Sequence, residues 1–257
     1  LFEPAYAKVN LTLDVLGKRD DGYHDIRSIM QTISIRDDIE IDVDTGKEWT
    51  LSCTDETIPC DERNLAWKAA KVFYDAAKID SNGIAMRITK RIPKEAGLGG
   101  GSADAAAVLV GLRQLYSNSI TDEELEKTAL KLGADVPFFI SGGCKRAEGI
   151  GEILTPLKPL SKGFILLCKG EEKTSTGEMY RILDSKEYKK CDTAAVIKAV
   201  EQNDLNGISK NIYNFQKLAR LSTFASEETL PTRPCNTVPG PSSVKSLMPS
   251  ATICSTI

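Results

Sequence analysis

The chain has 257 residues, 41% of them hydrophobic and 27% charged, with a formal net charge of −3 at pH 7. This balance is ordinary for a globular protein and provides no overall attraction to nucleic acid or an anionic membrane. No apolar stretch reaches the roughly 18 residues that a membrane span needs, and 257 residues suit one large or two small domains.

The first residues and the cysteines indicate the cellular compartment of the protein. The first residues, Leu1 to Pro4, lack the basic and apolar regions of a signal peptide, and we expect a trimmed start because the chain does not begin with methionine. With His24 as the single histidine and no Cys-x-x-Cys, a zinc site is not predicted. We therefore expect a cytoplasmic protein whose thiols are reduced, at positions 53, 60, 144, 168, 191, 235 and 254.

The first predicted element is a strand from Tyr6 to Val15, in which apolar and polar residues alternate. Lys8 and Asn10 belong to the polar set and point to the same side, about 7 Å apart. On this pattern alone, a solvated strand face is the simpler interpretation of these side chains.

A loop at residues 17–22 leads to Tyr23 and His24, which could stack on a base or hydrogen-bond to it, although a lone histidine is more often structural. Paired strands are then predicted at 29–35 and 39–43, around a turn at Asp37–Asp38. Asn64 is predicted to cap a helix. A strand near 84–88 leads to Lys90.

Residues 93–103 contain four glycines within five positions and precede an Ala-rich run with helical periodicity at 105, 108, 109 and 112. Glycine allows positive φ and close approach, and the first turn of a helix offers free N–H groups to phosphate. The segment is not a Walker A loop, because no lysine follows the glycines. It is not a dinucleotide fingerprint either, because Ser102 stands where that pattern needs a third glycine. We expect a phosphate loop of another lineage; a plain tight turn is the alternative.

A capping box at Thr121–Glu124 begins another helix, which we expect to end near Gly133. Asp135 then lies between this helix and an apolar segment at 136–140, interpreted as a strand because Pro137 favours an extended Val136. A partly buried carboxylate here would need a partner and could act in acid–base chemistry, but a turn aspartate is equally consistent with the local pattern.

Taken together, five segments resemble the GHMP kinase family of small-molecule kinases. They are residues 7–11 (Ala-Lys-Val-Asn-Leu), 17–24 (Gly-Lys-Arg-Asp-Asp-Gly-Tyr-His), 90–93 (Lys-Arg-Ile-Pro), 97–106 (Gly-Leu-Gly-Gly-Gly-Ser-Ala-Asp-Ala-Ala) and 132–137 (Leu-Gly-Ala-Asp-Val-Pro). The resemblance implies an α+β fold of two domains, with the active site in the cleft between them. The N-terminal domain, 1–150, would be ribosomal protein S5 domain 2-like, and 151–257 would form an α/β C-terminal domain.

The same resemblance implies ATP-dependent phosphorylation of a hydroxyl group, with Mg²⁺ brought by ATP. Lys8 and Asp135 would be the catalytic pair. The segment at 17–24 implies a small cytidyl-phosphate substrate, bound by Asn10, Tyr23, His24 and Tyr180, the last by stacking on cytosine. ATP would be bound by Asn64, Lys90, Pro93, Lys94, Glu95, Ala96, Gly97, Leu98, Gly99, Gly100, Gly101, Ser102 and Ala103.

Other members of the family, acting on homoserine, a sugar or mevalonate, remain alternatives, as does an inactive nucleotide-binding relative. We expect a monomer or homodimer with no nucleic-acid or membrane partner.

The C-terminal part departs from the family pattern. The family carries a third glycine-rich motif there, whereas residues 222–257 are rich in Ser, Thr and Pro, and Gly240 is their single glycine. This composition predicts disorder or irregular coil. We expect the segment not to be the native C-terminus of the family, as an altered reading frame would produce.

Overall fold

A computed structural model describes residues 1–46, 48–117, 119–160, 164–168, 180–181, 184, 191–214 and 252–256. The strands are β1 (Phe2–Lys18), β2 (His24–Val43), β3 (Thr50–Cys53), β4 (Ile84–Thr89), β5 (Cys144–Gly149), β6 (Ile153–Leu157), β7 (Phe164–Cys168), β8 (Tyr213–Asn214) and β9 (Thr252–Thr256). The helices are α1 (Leu65–Ala77), α2 (Gly100–Leu115), α3 (Asp122–Leu130), α4 (Val136–Ser141), α5 (Thr193–Glu201) and α6 (Leu205–Asn211).

Within the described residues, seven strands form one mixed sheet in which β1 and β2 are the longest members. These two strands pair antiparallel along almost their whole length, from Phe2 opposite Glu40 to Lys18 opposite His24. The order is β3-β4-β2-β1-β8, while β5 pairs with the first part of β2 and β6 pairs with β5. Strand β2 therefore connects the two halves of the sheet.

The helix after the glycines confirms the predicted periodicity. Helix α2 buries Ala105, Val108, Leu109 and Leu112 against the sheet and α1. Full burial of a side chain as large as leucine contributes roughly 1.5–3 kcal/mol, so this face anchors the helix start firmly beneath the glycines. The capping predictions for α1 and α3 are also confirmed, since Asn64 and Thr121 accept the expected backbone hydrogen bonds.

The polar face of β1 differs from the simple interpretation as a solvated surface. Lys8, Thr12 and Asp14 are all buried, while Tyr6 on the same predicted face is exposed. Each of these polar groups then needs a partner inside the protein.

The predicted turn at Asp37–Asp38 is wrong, since β2 runs unbroken through both residues. Asp37 is fully buried and accepts hydrogen bonds from Lys90 and from two backbone N–H groups that follow β4. Asp38 forms ion pairs with Arg36 and Arg91. Charge pairing between distant segments thus allows two adjacent aspartates to occupy a strand.

The predicted strand after Asp135 is also wrong, because residues 136–141 form the short helix α4. Pro137 lies in its first turn, where a missing N–H costs little and the fixed φ suits a helix. Asp135 is the N-cap residue, but its side chain makes no capping hydrogen bond. The carboxylate is therefore available to another partner.

A second, two-stranded sheet is formed by β7 and β9, which pair parallel from Phe164 opposite Thr252 to Cys168 opposite Thr256. The expectation of irregular coil is therefore wrong for 252–256, while 222–251 and 257 lie outside the described residues. Strands β6 and β8 follow residue 150 but belong to the first sheet. The domain boundary at 150 stays a prediction.

Candidate active site

Lys8 and Asp135 meet beside the glycine loop. The Nζ atom of Lys8 lies 3.4 Å from Oδ2 of Asp135, and the two side chains are 5% and 38% exposed. Nζ also donates a hydrogen bond of 3.1 Å to Oδ1 of Asn10, which accepts a second bond from Ser28. The ammonium is thus buried and held from two sides, whereas the carboxylate remains open to a ligand.

The glycine loop is attached to the same strand. The backbone N–H of Lys8 donates to the carbonyl oxygen of Leu98 at 3.1 Å, so β1 holds the middle of the loop. Gly97 and Gly99 have φ values of +70° and +71°, which disfavour any residue with a Cβ. A Cβ on Gly99 would also collide with the ring of Phe139, whereas one on Gly101 would meet nothing within 4 Å.

A cavity of about 450 Å³ opens along this loop. Ten of the eleven predicted loop residues, from Pro93 to Ser102, line it together with Asn64 and Lys90. Its volume falls within the range of small-molecule sites. Ala103 lines a separate cavity of about 320 Å³ on the other side of α2, and its N–H already bonds to Gly99.

Apolar side chains at one end of the cavity, Ile58, Pro59 and Leu65, provide a surface suited to a flat ring. Asn64 holds this end in place, because its side chain accepts from Ala66 N–H at 2.9 Å and donates to the Pro59 carbonyl at 2.8 Å. The bare N–H groups at the start of α2 lie in the same cavity and suit an anion. The cavity thus combines apolar side chains with a glycine loop whose backbone suits an anion.

Two acids in or behind the cavity wall were not predicted. Lys90 contacts both Asp37 and Asp104, and Asp104 lines the cavity with it. The sequence did carry a signal for Asp104, which precedes buried Val108 by four positions and so lies on the buried face of α2. Asp37 had no comparable signal.

The predicted substrate residues form a second group. The His24 and Tyr180 rings stack on each other, with centroids 4.6 Å apart and planes 13° apart, while Tyr23 is exposed. Asp184, which was not predicted, lies 2.7 Å from Nε2 of His24 and 3.0 Å from Nζ of Lys18. Those contacts, the His24 bond first, lower the pKa of Asp184. The carboxylate therefore accepts from Nε2–H, which leaves Nδ1 outside this bond.

The described residues contain no group of three or more His, Cys, Asp or Glu placed to hold a metal ion. None of the helices in the same parts of the chain combines the length and the apolar character that crossing a bilayer requires.

Comparison with known proteins gives three kinds of match. The model of the GHMP kinases N terminal domain matches residues 64–143. The 4-diphosphocytidyl-2-C-methyl-D-erythritol kinases of Clostridium novyi (strain NT) and Clostridium perfringens (strain SM101 / Type A) are 45% and 44% identical. The matches span 216 and 211 residues, which are 83% and 82% of this chain and 76% and 73% of those proteins.

A solved structure agrees with these relatives. The crystal structure of 4-(cytidine 5'-diphospho)-2C-methyl-D-erythritol kinase is 30% identical, with a TM-score of 0.67 over 88% of this chain and 79% of that one. Extensive identity to proteins of one family therefore accompanies a shared fold. The chain belongs to the GHMP kinase family, whose members are ATP-dependent small-molecule kinases.

Proposed function

We propose that this chain transfers the γ-phosphoryl group of ATP to the 2-hydroxyl of 4-diphosphocytidyl-2-C-methyl-D-erythritol, a step of the non-mevalonate isoprenoid pathway. The relatives at 44–45% identity carry the name of that kinase. The observation that carries the proposal is the Lys8–Asp135 contact of 3.4 Å beside the glycine loop. This contact supports the proposal, because an ammonium and an open carboxylate beside the glycine loop could together hold and deprotonate a phosphate acceptor.

Asp135 acts as the general base, because its side chain is 38% exposed and makes no hydrogen bond that caps α4. It takes the proton of the attacking hydroxyl. Lys8 orients that hydroxyl and compensates the negative charge, and its bond to Asn10 fixes the ammonium in position. Phosphoryl transfer depends mainly on such positioning and on charge stabilisation.

The loop from Pro93 to Ser102 holds the triphosphate, with N–H groups at the start of α2 directed at the phosphates. The apolar end near Asn64 holds adenine, and Lys90 lines the same cavity. Bound Mg²⁺ supplies neutralisation of phosphate charge. The residues that line the cavity fit a triphosphate with its Mg²⁺, because the bare backbone at Gly101 leaves open space for phosphate oxygens.

Tyr23, His24 and Tyr180 recognise the cytidyl group. The stacked His24 and Tyr180 rings and the exposed Tyr23 ring provide aromatic surface for a pyrimidine. Asp184 orients His24 through Nε2, which leaves Nδ1 as the acceptor atom of the ring when the ring is neutral. Asn10 adds a polar contact next to Lys8.

The test is ATP turnover by the full chain with a panel of acceptors: the cytidyl-methylerythritol substrate, mevalonate, homoserine and a hexose. We expect turnover with the first and none above background with the others. A preference for another acceptor would assign a different activity within the family. ATP binding without turnover on any acceptor would indicate an inactive relative.

A further inference from the structure

Three charged side chains lie together behind the glycine loop, and we call them the Asp37–Lys90–Asp104 cluster. Lys90 Nζ contacts Asp37 and lies 2.8 Å from Oδ2 of Asp104. All three side chains are at least nine-tenths buried. They come from β2, from the residue after β4 and from α2, so the cluster links three elements.

The cluster is part of the cavity wall and of the loop's support. Lys90 and Asp104 both line the cavity, and Lys90 Nζ would lie 3.4 Å from a Cβ on Gly100. Oδ1 of Asp37 also accepts the N–H groups of Arg91 and Ile92, where the chain leaves β4 for the glycine loop. Asp37 therefore holds both the ammonium and the start of the loop.

The carboxylates of Asp37 and Asp104 differ in how many hydrogen bonds they accept. Asp37 accepts three hydrogen bonds, whereas Oδ1 of Asp104 is buried and has no hydrogen-bond partner within the described residues. Burial raises the pKa of Asp104 to about 7; Lys90 opposes this rise and Asp37 adds to it. Burial lowers the pKa of Lys90, but the two carboxylates more than offset this, so Lys90 stays charged.

Two further titratable groups in the described residues interact electrostatically with the cluster: Asp55 with Lys90, and Cys53 on β3 with both Lys90 and Asp104. Asp55 is partly exposed, and hydrogen bonds from Thr57 lower its pKa, so it stays ionised near pH 7. Cys53 is partly buried. Burial raises its pKa, so it remains a neutral thiol near pH 7. With both acids ionised, the cluster carries one net negative charge next to the loop. With Asp104 protonated, the cluster is neutral.

We propose that Asp37 and Asp104 are positioning residues that make nucleotide affinity depend on a proton, because the protonated cluster removes a negative charge from behind the phosphate loop. The identity of the ligand, a nucleoside triphosphate, rests on the proposed function, whereas the cluster is observed in the structure independently of it. Binding of the triphosphate favours proton uptake by Asp104, so affinity rises as pH falls through neutrality. A rise of the Asp104 pKa from about 7 to between about 7.5 and about 8 on binding corresponds to roughly 2.5-fold to fivefold tighter binding at pH 6 than at pH 8.

The experiment is ATP binding by isothermal titration to the full chain between pH 6 and pH 8.5, with Mg²⁺ present. Asp104→Asn should abolish the part of the pH dependence that belongs to the protein. Asp37→Asn should move the midpoint to lower pH, because losing a like charge lowers the pKa of Asp104. ATP's own titration is common to all variants and cancels in the ratios.

The matched control is Asp38→Asn, adjacent on β2, since Asp38 pairs with Arg36 and Arg91 rather than with Lys90. It should keep the parent's pH midpoint. A parent profile that equals that of Asp104→Asn overturns the inference, even if Asp37→Asn does not fold. Failure of the parent to bind ATP at any pH would instead refute the proposed nucleotide site.

Discussion

At the scale of single residues, the site depends on a buried lysine whose charge is compensated from a distant part of the chain. Lys8 on β1 reaches Asp135 before α4, and Asn10 completes its contacts. Burying an ammonium without such partners would be strongly unfavourable. The pair is thus placed by the fold, and its chemical role can be tested one side chain at a time.

Asp135→Asn should reduce kcat by about 10²–10⁴-fold, the range that removal of a general base produces. The amide keeps the size of the side chain but cannot take the hydroxyl proton, so ATP affinity should stay within about twofold of the parent. Steady-state kinetics and direct ATP binding measure the two effects. Asp80→Asn, an exposed aspartate, serves as control; near-parental kcat in Asp135→Asn would reject the base assignment.

Asp104 also makes a prediction about stability. Its pKa of about 7 in the folded chain exceeds the ordinary 3.8, so between those values the folded state binds more protons than the unfolded state. Its contribution to the free energy of unfolding therefore falls as pH rises from about 4 to about 7. The Tm of Asp104→Asn minus that of the parent should increase between pH 5 and pH 8; a constant difference would contradict this.

At the scale of elements, α4 connects Asp135 to the glycine loop. Asp135 immediately precedes this helix, and Phe139, one turn later, fills the space beside Gly99. A Cβ on Gly99 would lie 2.9 Å from Cε2 of Phe139 and 3.5 Å from Cε of Lys8. The loop, the lysine stem and the helix therefore meet at one glycine, so their positions are coupled.

Two neighbouring glycines should consequently respond to alanine with opposite signs. Gly99→Ala should lower the free energy of unfolding by at least about 1–2 kcal/mol, since a Cβ is unfavourable at φ +71° and collides with Phe139. Gly101→Ala should raise it by up to about 1 kcal/mol, because the site is helical and open.

Denaturant unfolding of both variants measures the difference. The double variant Gly99→Ala/Phe139→Leu should recover the part of the loss that comes from the collision. Equal effects at positions 99 and 101 would argue against the close approach of Phe139.

At the scale of the whole molecule, β1 joins the first sheet to the segment that follows residue 190. Asp14 is buried, and its carboxylate accepts from Cys191 N–H at 2.7 Å and from the Thr193 hydroxyl at 3.1 Å. Helix α5 begins at Thr193, and β8 then pairs with β1. One carboxylate thus attaches this later part of the chain to the central strand.

Asp14→Ala should lower the free energy of unfolding by about 2–5 kcal/mol, because it leaves two donors without an acceptor in a buried place. Asp192→Ala removes only the N-cap of α5 and should cost about 1 kcal/mol. Thermal unfolding of the two variants provides the comparison. A loss at Asp14 no larger than that at Asp192 would show that the attachment contributes little.

Helices and strands were predictable from the sequence where residues a few positions apart determine them. Helix α2 and its buried face, the capping box of α3 and the strand around Lys8 follow from periodicity and from short-range hydrogen bonds. The turn at Asp37–Asp38, the strand after Asp135 and the coil at 252–256 were wrong, because partners from other segments decided those conformations. The resemblance assigned Lys8 and Asp135 as a pair, which the residue pattern left open.

By itself, the sequence determined where a helix would start beneath a bare glycine backbone, since this depends on neighbours a few positions apart. Only the tertiary structure decided which charges are buried together. Lys90 could have been a surface lysine and Asp37 a turn residue; packing of β2, β4 and α2 removes both from water and forces them to pair. Desolvation acts on residues that are close in space, so the charge balance behind the loop is a property of the fold.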